Sequence, residues 1–207
     1  MLLGMVTILY LASAVLVIVG LSPYYFIRGG VSINRAVWFV FAVGSCVASA
    51  SIFVAAGGQW TFASVYCAFI ALLQAGILVK NWHRSAWSEL PAWQTFGMPL
   101  LICAAIAIPW VGCEVAIGVQ SLLTVIATAA LLQSTFSLRS QEVFGAWFCW
   151  LLSNATVAAL TVVSSGWLSA LLPALWAGQC FAVCVAIVVC SRRRACPEFA
   201  GEVAFGE

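Results

Sequence analysis

Apolar stretches of nearly twenty residues follow one another from Gly4 to Cys190, with only short breaks between them. Each stretch is about long enough to cross the roughly 30 Å hydrocarbon core of a bilayer as an α-helix. The chain is 65% hydrophobic and only 7% charged, whereas an ordinary soluble domain is roughly 25% charged. Barrel strands would show ten-residue segments of alternating polarity instead, which leaves helices as the structure that satisfies the backbone in lipid. We therefore expect an all-α polytopic membrane protein.

Breaker residues divide the chain into seven predicted spans, with Ser22-Pro23 after the first span, Gly57-Gly58 after the second and Gly166 after the sixth. We expect the first span to be retained, because no Lys or Arg precedes it as a signal peptide requires. The predicted spans are Gly4 to Leu21, Ala36 to Ala56, Trp60 to Val79, Ala92 to Trp110, Val115 to Phe136, Val143 to Ser164 and Leu168 to Cys190.

Positive charge is confined to the segments that follow the odd-numbered spans. Cytoplasmic loops of membrane proteins carry the excess of Lys and Arg, and a wrong number of spans would scramble this parity. The distribution therefore predicts a multi-pass protein of the plasma (inner) membrane with its amino terminus outside and its carboxyl terminus in the cytoplasm. The eight basic residues are Arg28, Arg35, Lys80, Arg84, Arg139, Arg192, Arg193 and Arg194.

Several classes of function are disfavoured by what the sequence lacks. There is no Asp and a single His, His83, so paired-histidine haem ligation, His-rich metal sites and a Ser-His-Asp set cannot be assembled within the chain. A retinal protein would need a lysine in the seventh span, whereas the only lysine is Lys80. The nine cysteines are scattered without a C-x-x-C pair, and a net charge of +2 is too small to imply a nucleic-acid partner. We expect neither an enzyme nor a bound cofactor or metal.

An internal repeat is indicated by an offset of 109 residues, which carries Trp38 onto Trp147, Phe41 onto Trp150 and Ser45 onto Asn154. Spans one to three then match spans five to seven in the same orientation, which predicts two parallel three-helix repeats about an axis along the membrane normal. Chance similarity between apolar segments is the alternative. On this interpretation residues 1–85 form the first repeat, 86–111 the linker helix, 112–194 the second repeat and 195–207 a cytoplasmic tail.

The arrangement of three, one and three helices resembles the SWEET and PQ-loop superfamily, and the PnuC-type nicotinamide-riboside carriers share a similar plan. That family's motif is a Pro-Gln pair after the first helix, then basic and Ser residues, then a Trp in the next helix. Here the two copies read SPYYFIRGGVSINRAVW and LLQSTFSLRSQEVFGAW. The first keeps Pro23 with Tyr24 in place of Gln, and the second keeps Gln133 with Leu132 in place of Pro, as in a divergent bacterial member. The resemblance implies a carrier with alternating access for a small polar molecule.

Neutral polar and aromatic residues inside the spans are the candidate binding residues. Trp147, Trp150 and Asn154 are spaced i, i+3 and i+7 and share one helix face, and Trp38 and Ser45 repeat that face in the second span. Indole rings and an amide suit a neutral ligand, although amides in helix bundles also bridge helices. The resemblance adds Gln74 and Gln179, because SWEET-type carriers place an amide in the third and seventh helices.

The favoured function is a uniporter-type facilitator for a small neutral polar solute such as a sugar, nucleoside or vitamin. Glu114 and Glu142 lie near span ends, where we expect them to be solvated or paired with Arg, so no mid-membrane carboxylate is predicted to couple transport to protons. The alternative is a non-transporting scaffold or regulatory subunit that binds partner helices through faces such as Ala155 to Ala159. A cavity lined by Asn154 and Trp150 would favour the carrier. Homo-oligomer formation is left open.

Overall fold

The computed structural model describes residues 2–27, 31–55, 57–60, 62–84, 113–137, 142–165 and 167–195. All regular secondary structure in these ranges is helical, which confirms the all-α class for the described part of the chain. Helices α4, α5 and α6 correspond to the fifth, sixth and seventh predicted spans; the fourth, Ala92 to Trp110, lies outside the described residues, so the count of seven stays a prediction. The helices are α1 (Leu2–Phe26), α2 (Arg35–Ala55), α3 (Phe62–Lys80), α4 (Cys113–Phe136), α5 (Phe144–Ser165) and α6 (Trp167–Ala195), with a 3₁₀ turn at Trp82–Arg84.

Four of the described helices are long and apolar enough to cross a membrane, in α1, α2, α5 and α6, and two shorter apolar stretches lie in α3 and α4. The four candidate spans are Val6–Phe26, Arg35–Val54, Phe144–Val163 and Ala170–Arg192. Their length and composition indicate a membrane protein, as predicted.

The distribution of side chains is that of a bundle with a lipid-covered exterior. Along α1 one face bears Ile8, Leu11, Val15 and Ile18, which are 47–65% exposed. Polar side chains face inward instead: Ser13 of α1 donates to the backbone oxygen of Ser153 in α5, and the two hydroxyl oxygens lie 2.6 Å apart. Large exposed apolar stripes are costly in water, so this arrangement suits a bilayer.

The break predicted at Gly57-Gly58 is confirmed, and its geometry explains the choice of residue. Both glycines have positive φ angles, +68° and +79°, which residues with a Cβ rarely adopt. The backbone N–H of Gly57 donates to Val54 O and that of Gly58 to Phe53 O, each at 3.0 Å. This pattern of hydrogen bonds closes the end of α2 as a Schellman motif.

The break predicted at Ser22-Pro23 is wrong, because α1 continues through Pro23 to Phe26. Proline lacks the N–H that would normally bond the carbonyl four residues earlier, which here is Val19 O. The hydroxyl of Ser22 donates to that same oxygen at 2.7 Å. The neighbouring serine thus supplies the hydrogen bond that Pro23 removes, and the helix is not forced to end.

Helix pairing follows a regular pattern. Helix α1 packs against α5 and α2 packs against α4, while α2 pairs with α3, α5 with α6, α1 with α3 and α4 with α6. The pattern is unchanged when α1, α2 and α3 are exchanged with α4, α5 and α6. A duplicated three-helix unit would produce this pairing, although superposition of the two triplets stays a prediction.

Candidate functional site

A cavity of about 90 Å³ lies in the bundle, and each of the six described helices contributes to its lining. A single water needs roughly 10–15 Å³, so the cavity has room for several waters or a small solute. Six of the seven predicted binding residues line it, brought together from α2, α3, α5 and α6. They are Ser45, Gln74, Trp147, Trp150, Asn154 and Gln179.

Asn154 presents an unused hydrogen-bond acceptor at this cavity. Its amide nitrogen donates to Trp150 O, one turn earlier in α5, at 2.9 Å and lies 3.8 Å from the Cys180 sulfur of α6. No group in the described ranges donates to its side-chain oxygen. The amide is therefore held by its nitrogen while its oxygen stays available to a ligand.

The two glutamines add further unused polar groups. Ser45 Oγ donates to Gln74 Oε1 at 2.9 Å, which joins α2 to α3 and leaves the Gln74 nitrogen without an acceptor among the described residues. Gln179 is 9% exposed, and its carboxamide forms no hydrogen bond within the part of the chain that the structure describes. Unpaired amides at a cavity wall favour a solute that both donates and accepts hydrogen bonds.

The lining residues that the sequence analysis missed include Thr124, Trp176 and Cys180. The Trp176 indole donates to Thr124 Oγ1 at 3.2 Å, which fixes that ring between α6 and α4. Trp176 lies three residues before Gln179, on the same face of α6. The spacing used to group residues in α5 could have found it.

Trp38 is the one predicted binding residue that does not line the cavity. It is fully buried, and its ring centroid lies 4.9 Å from Tyr24 and 5.7 Å from Trp150. With Phe41 and Trp147 these residues form one aromatic cluster, in which most neighbouring rings meet edge to face. Three members, Phe41, Trp147 and Trp150, belong to both the cluster and the cavity wall.

Glu142 is attached to this cluster at the start of α5. Tyr24 Oη donates to Glu142 Oε2 at 2.5 Å and Trp147 Nε1 donates to the same oxygen at 2.8 Å. The other oxygen, Oε1, is sealed from solvent and has no partner in the described chain. Burial raises the pKa of this carboxyl group, while the hydrogen bonds from Tyr24 and Trp147 and a weaker interaction with Trp38 oppose the rise.

Of the two alternatives expected for Glu142, solvation or pairing with Arg, this geometry argues against the first. The residue is only partly exposed, and its carboxylate accepts hydrogen bonds from the buried rings of Tyr24 in α1 and Trp147 in α5. The predicted partner, Arg139, lies outside the described residues. Sealing a polar atom without a hydrogen bond costs about 1–3 kcal/mol, and among the described residues nothing compensates the charge of Glu142 at Oε1.

The lining of the cavity is neutral, since the described residues that form it include no Asp, Glu, Lys, Arg or His. In the same part of the chain no group of three or more His, Cys, Asp or Glu side chains is arranged to hold a metal ion. The described chemistry of the cavity is hydrogen bonding and ring contact.

No family model, curated protein or solved structure matches the chain.

Proposed function

We propose that the protein is a membrane carrier of the facilitator type, which lets a small neutral polar solute cross the lipid bilayer by way of the central cavity. The observation that carries this proposal is the cavity itself, where the described lining residues supply unpaired amide groups and indole rings and include no charged side chain. A charged solute would be buried there without a counter-charge, at a high cost in free energy. A neutral solute can satisfy the amides and lay a flat face on an indole ring.

The pairing of the helices suits such a carrier. The cavity lies between two sets of three described helices with equivalent contacts, α1 to α3 and α4 to α6. If the two sets are repeats, as the 109-residue offset suggests, rocking one against the other would expose the cavity first to one side of the membrane and then to the other. The resemblance to SWEET and PQ-loop carriers points to the same mechanism, in the plasma membrane with the amino terminus outside.

The competing scaffold function is less well supported. A scaffold or regulatory subunit gains nothing from an internal cavity with unpaired polar groups, because packing or mutual hydrogen bonding would stabilise its bundle better. Ala155 and Ala159, the small residues suggested for partner helices, are exposed on α5. They form a surface that lipid also covers, so they do not favour either function.

The test is solute binding and transport by purified protein. We expect a thermal-shift screen of sugars, nucleosides, vitamins and small amides to find a stabilising compound. Asn154→Ala should weaken its binding by about 1–3 kcal/mol because a polar group of the solute loses its partner. Trp150→Ala should cost a similar amount through lost ring contact. Gln133→Ala is the matched control, since Gln133 is an exposed amide on α4 outside the cavity.

We expect passive transport, in which the solute gradient alone sets the direction of net movement. Vesicles containing the protein should bring the solute to equal concentrations on both sides, and an imposed membrane potential should not move a neutral solute past that level. Accumulation against the solute gradient would refute the facilitator. If no compound in the screen stabilises the protein, and Asn154→Ala changes its thermal stability no more than Gln133→Ala does, the scaffold function would be favoured instead.

A further inference from the structure

Glu142 is a partly buried acidic residue that has no role in the proposed solute site. It does not line the cavity, yet its Oε2 accepts hydrogen bonds from Tyr24 Oη at 2.5 Å and Trp147 Nε1 at 2.8 Å. Trp147 Nε1 also lies 3.1 Å from Tyr24 Oη, so the three groups form one closed junction between α1 and α5. Trp147 belongs to both the junction and the cavity wall, so this ring connects the carboxyl group to the cavity.

The second carboxyl oxygen is where a proton can bind. Glu142 Oε1 has no hydrogen-bond donor in the described chain, whereas Oε2 has two. A proton on Oε1 would remove the buried charge without displacing either donor from Oε2. The residue as a whole is partly exposed although Oε1 itself is sealed, so a proton reaches Oε1 only when the junction moves. Burial already raises the pKa of this group, so the protonated form lies closer to neutral pH than in an ordinary glutamate.

The groups that face Glu142 include no described cation that would hold it ionised. From α1 it meets Tyr24, from α2 the indole of Trp38 and from α5 that of Trp147. Arg35, at the start of α2, donates to Trp82 O and lies over the Trp82 ring. Lys80, at the end of α3, lies over the Tyr25 ring.

We propose that the Glu142 carboxyl group is a proton-binding site that controls access to the cavity, with the ionised form holding the Tyr24–Trp147 junction closed and the protonated form releasing it. The access step rests on the proposed carrier function; the proton site does not.

The direction of control follows from hydrogen-bond strength. Bonds to an ionised acceptor are roughly twice as strong as bonds between neutral groups. Both bonds to Oε2 lose this assistance together when Oε1 takes a proton. Acid therefore loosens the contact between α1 and α5, and alkali tightens it. Proton binding of this kind sets the rate of transport and leaves the final solute level to the solute gradient.

Infrared spectroscopy tests the proton site without any solute. The chain has six glutamates and no aspartate, so the carbonyl bands of protonated side chains come from few groups. We expect one band to persist to higher pH than the rest and to be lost in Glu142→Gln. Glu202→Gln, a control outside the described residues, should keep it. Titration of every carboxyl group at the ordinary glutamate pKa of about 4.3 would overturn the proposal.

Thiol labelling tests the access step, because a native cysteine lines the cavity. Cys180 lines the cavity, and with every other cysteine replaced by alanine it can report the entry of a water-soluble methanethiosulfonate reagent. The labelling ratio is the rate of labelling of Glu142→Gln divided by that of the protein with Glu142 intact, both in this single-cysteine background and at the same pH. Taking the ratio cancels the pH dependence of the thiol itself. Since a hydrogen bond to a charged group contributes more than one between neutral groups, we expect a labelling ratio of roughly five or more at a pH above the infrared transition, falling to one below it.

A second variant guards against a merely structural effect. Tyr24→Phe keeps the ring in the aromatic cluster and removes one donor to Oε2, so it should speed labelling at high pH while the carboxyl band persists. A labelling ratio of one at all pH values for both variants would refute proton-controlled access. Because neither measurement uses a solute, loss of solute binding in Asn154→Ala tests the carrier function separately.

Discussion

At the scale of single residues, Gly20 of α1 constrains the cavity wall through its contact with Trp150. A Cβ at this position would lie 2.5 Å from Trp150 Nε1 and 2.9 Å from the backbone oxygen of Ala146. The Trp150 indole uses the space beside Gly20 to donate to Val17 O at 3.2 Å. Glycine therefore lets α1 and α5 approach closely enough for one ring to bridge them.

Gly20→Ala should destabilise the protein by about 1–3 kcal/mol, because the new methyl group forces the Trp150 ring or α5 to move. Gly118→Ala is the control, since a Cβ at Gly118 meets nothing within 4 Å; removing a helix glycine there should stabilise by up to about 1 kcal/mol. Thermal unfolding in detergent compares the two. Equal midpoints for both variants would show that the close approach is not required.

Helix periodicity predicted which side chains share a face, but it could not predict which of them neighbouring helices cover. The i, i+3, i+7 spacing of Trp147, Trp150 and Asn154 was enough to place them on one face, and all three line the cavity. Trp38 has the equivalent place in α2 but is covered by Tyr24 and Trp150. Nothing in the local sequence shows which of two matched tryptophans another helix will cover.

At the scale of helices, a pair of buried serines fixes the register of α1 against α5. Ser13 and Ser153 are both buried, and each hydroxyl donates to the backbone oxygen of the other residue, at 3.2 Å and 3.0 Å. Polar pairs inside a membrane bundle contribute little on average, about 0.6 kcal/mol. Their effect here is geometric, since a shift of one turn would separate both pairs.

Cysteines at positions 13 and 153 should form a disulfide under mild oxidation in a background that lacks the native cysteines. The two hydroxyl oxygens lie 2.6 Å apart, so the substituted sulfurs would start within bonding reach. Ser22→Cys paired with Ser153→Cys is the control, because Ser22 lies about 13.5 Å farther along α1 at 1.5 Å per residue. Cross-linking is read on gels as a band of altered mobility. Equal yields from both pairs would contradict the register.

Helix ends were less predictable than helix existence. The Gly57-Gly58 break needed only the conformational freedom of glycine, and it was predicted correctly. The break at Pro23 was predicted from the missing N–H, but the effect of that loss depends on whether another donor reaches Val19 O. The hydroxyl of Ser22 is that donor, and the rule that proline ends a helix takes no account of such a neighbouring side chain.

At the scale of the whole molecule, equivalent ring pairs support the proposed duplication. Trp38 and Trp150 lie 5.7 Å apart at 66°, and their counterparts under the 109-residue offset, Trp147 and Phe41, lie 6.2 Å apart at the same angle. The helix pairing repeats in the same way. The sequence predicted this correspondence from a few matched positions, but it could not show that the matched rings meet.

Side-specific labelling tests the proposed orientation. Gln59→Cys, in the exposed connection between α2 and α3, should react with a membrane-impermeant maleimide applied to whole cells. Ser137→Cys, exposed at the end of α4, should react only after the cells are opened, because charge parity places it on the cytoplasmic side. Each is made in a background without native cysteines. Reaction of Ser137→Cys from outside would overturn the proposed topology.

The edge-to-face packing of the aromatic cluster also has an optical consequence. The Trp147 and Trp150 ring centroids lie 4.9 Å apart at 75°, and Trp38 lies 5.7 Å from Trp150. Indole chromophores this close and this oblique share their excited states, and the coupling appears in near-ultraviolet circular dichroism. The signal depends on the distances between the rings and not on helix content. A movement that draws α2 away from α5 would remove the contribution of the Trp38–Trp150 pair and keep that of Trp147 and Trp150, which both lie in α5, while the far-ultraviolet spectrum stayed constant. A partial loss of the near-ultraviolet signal would therefore report such a movement without a label.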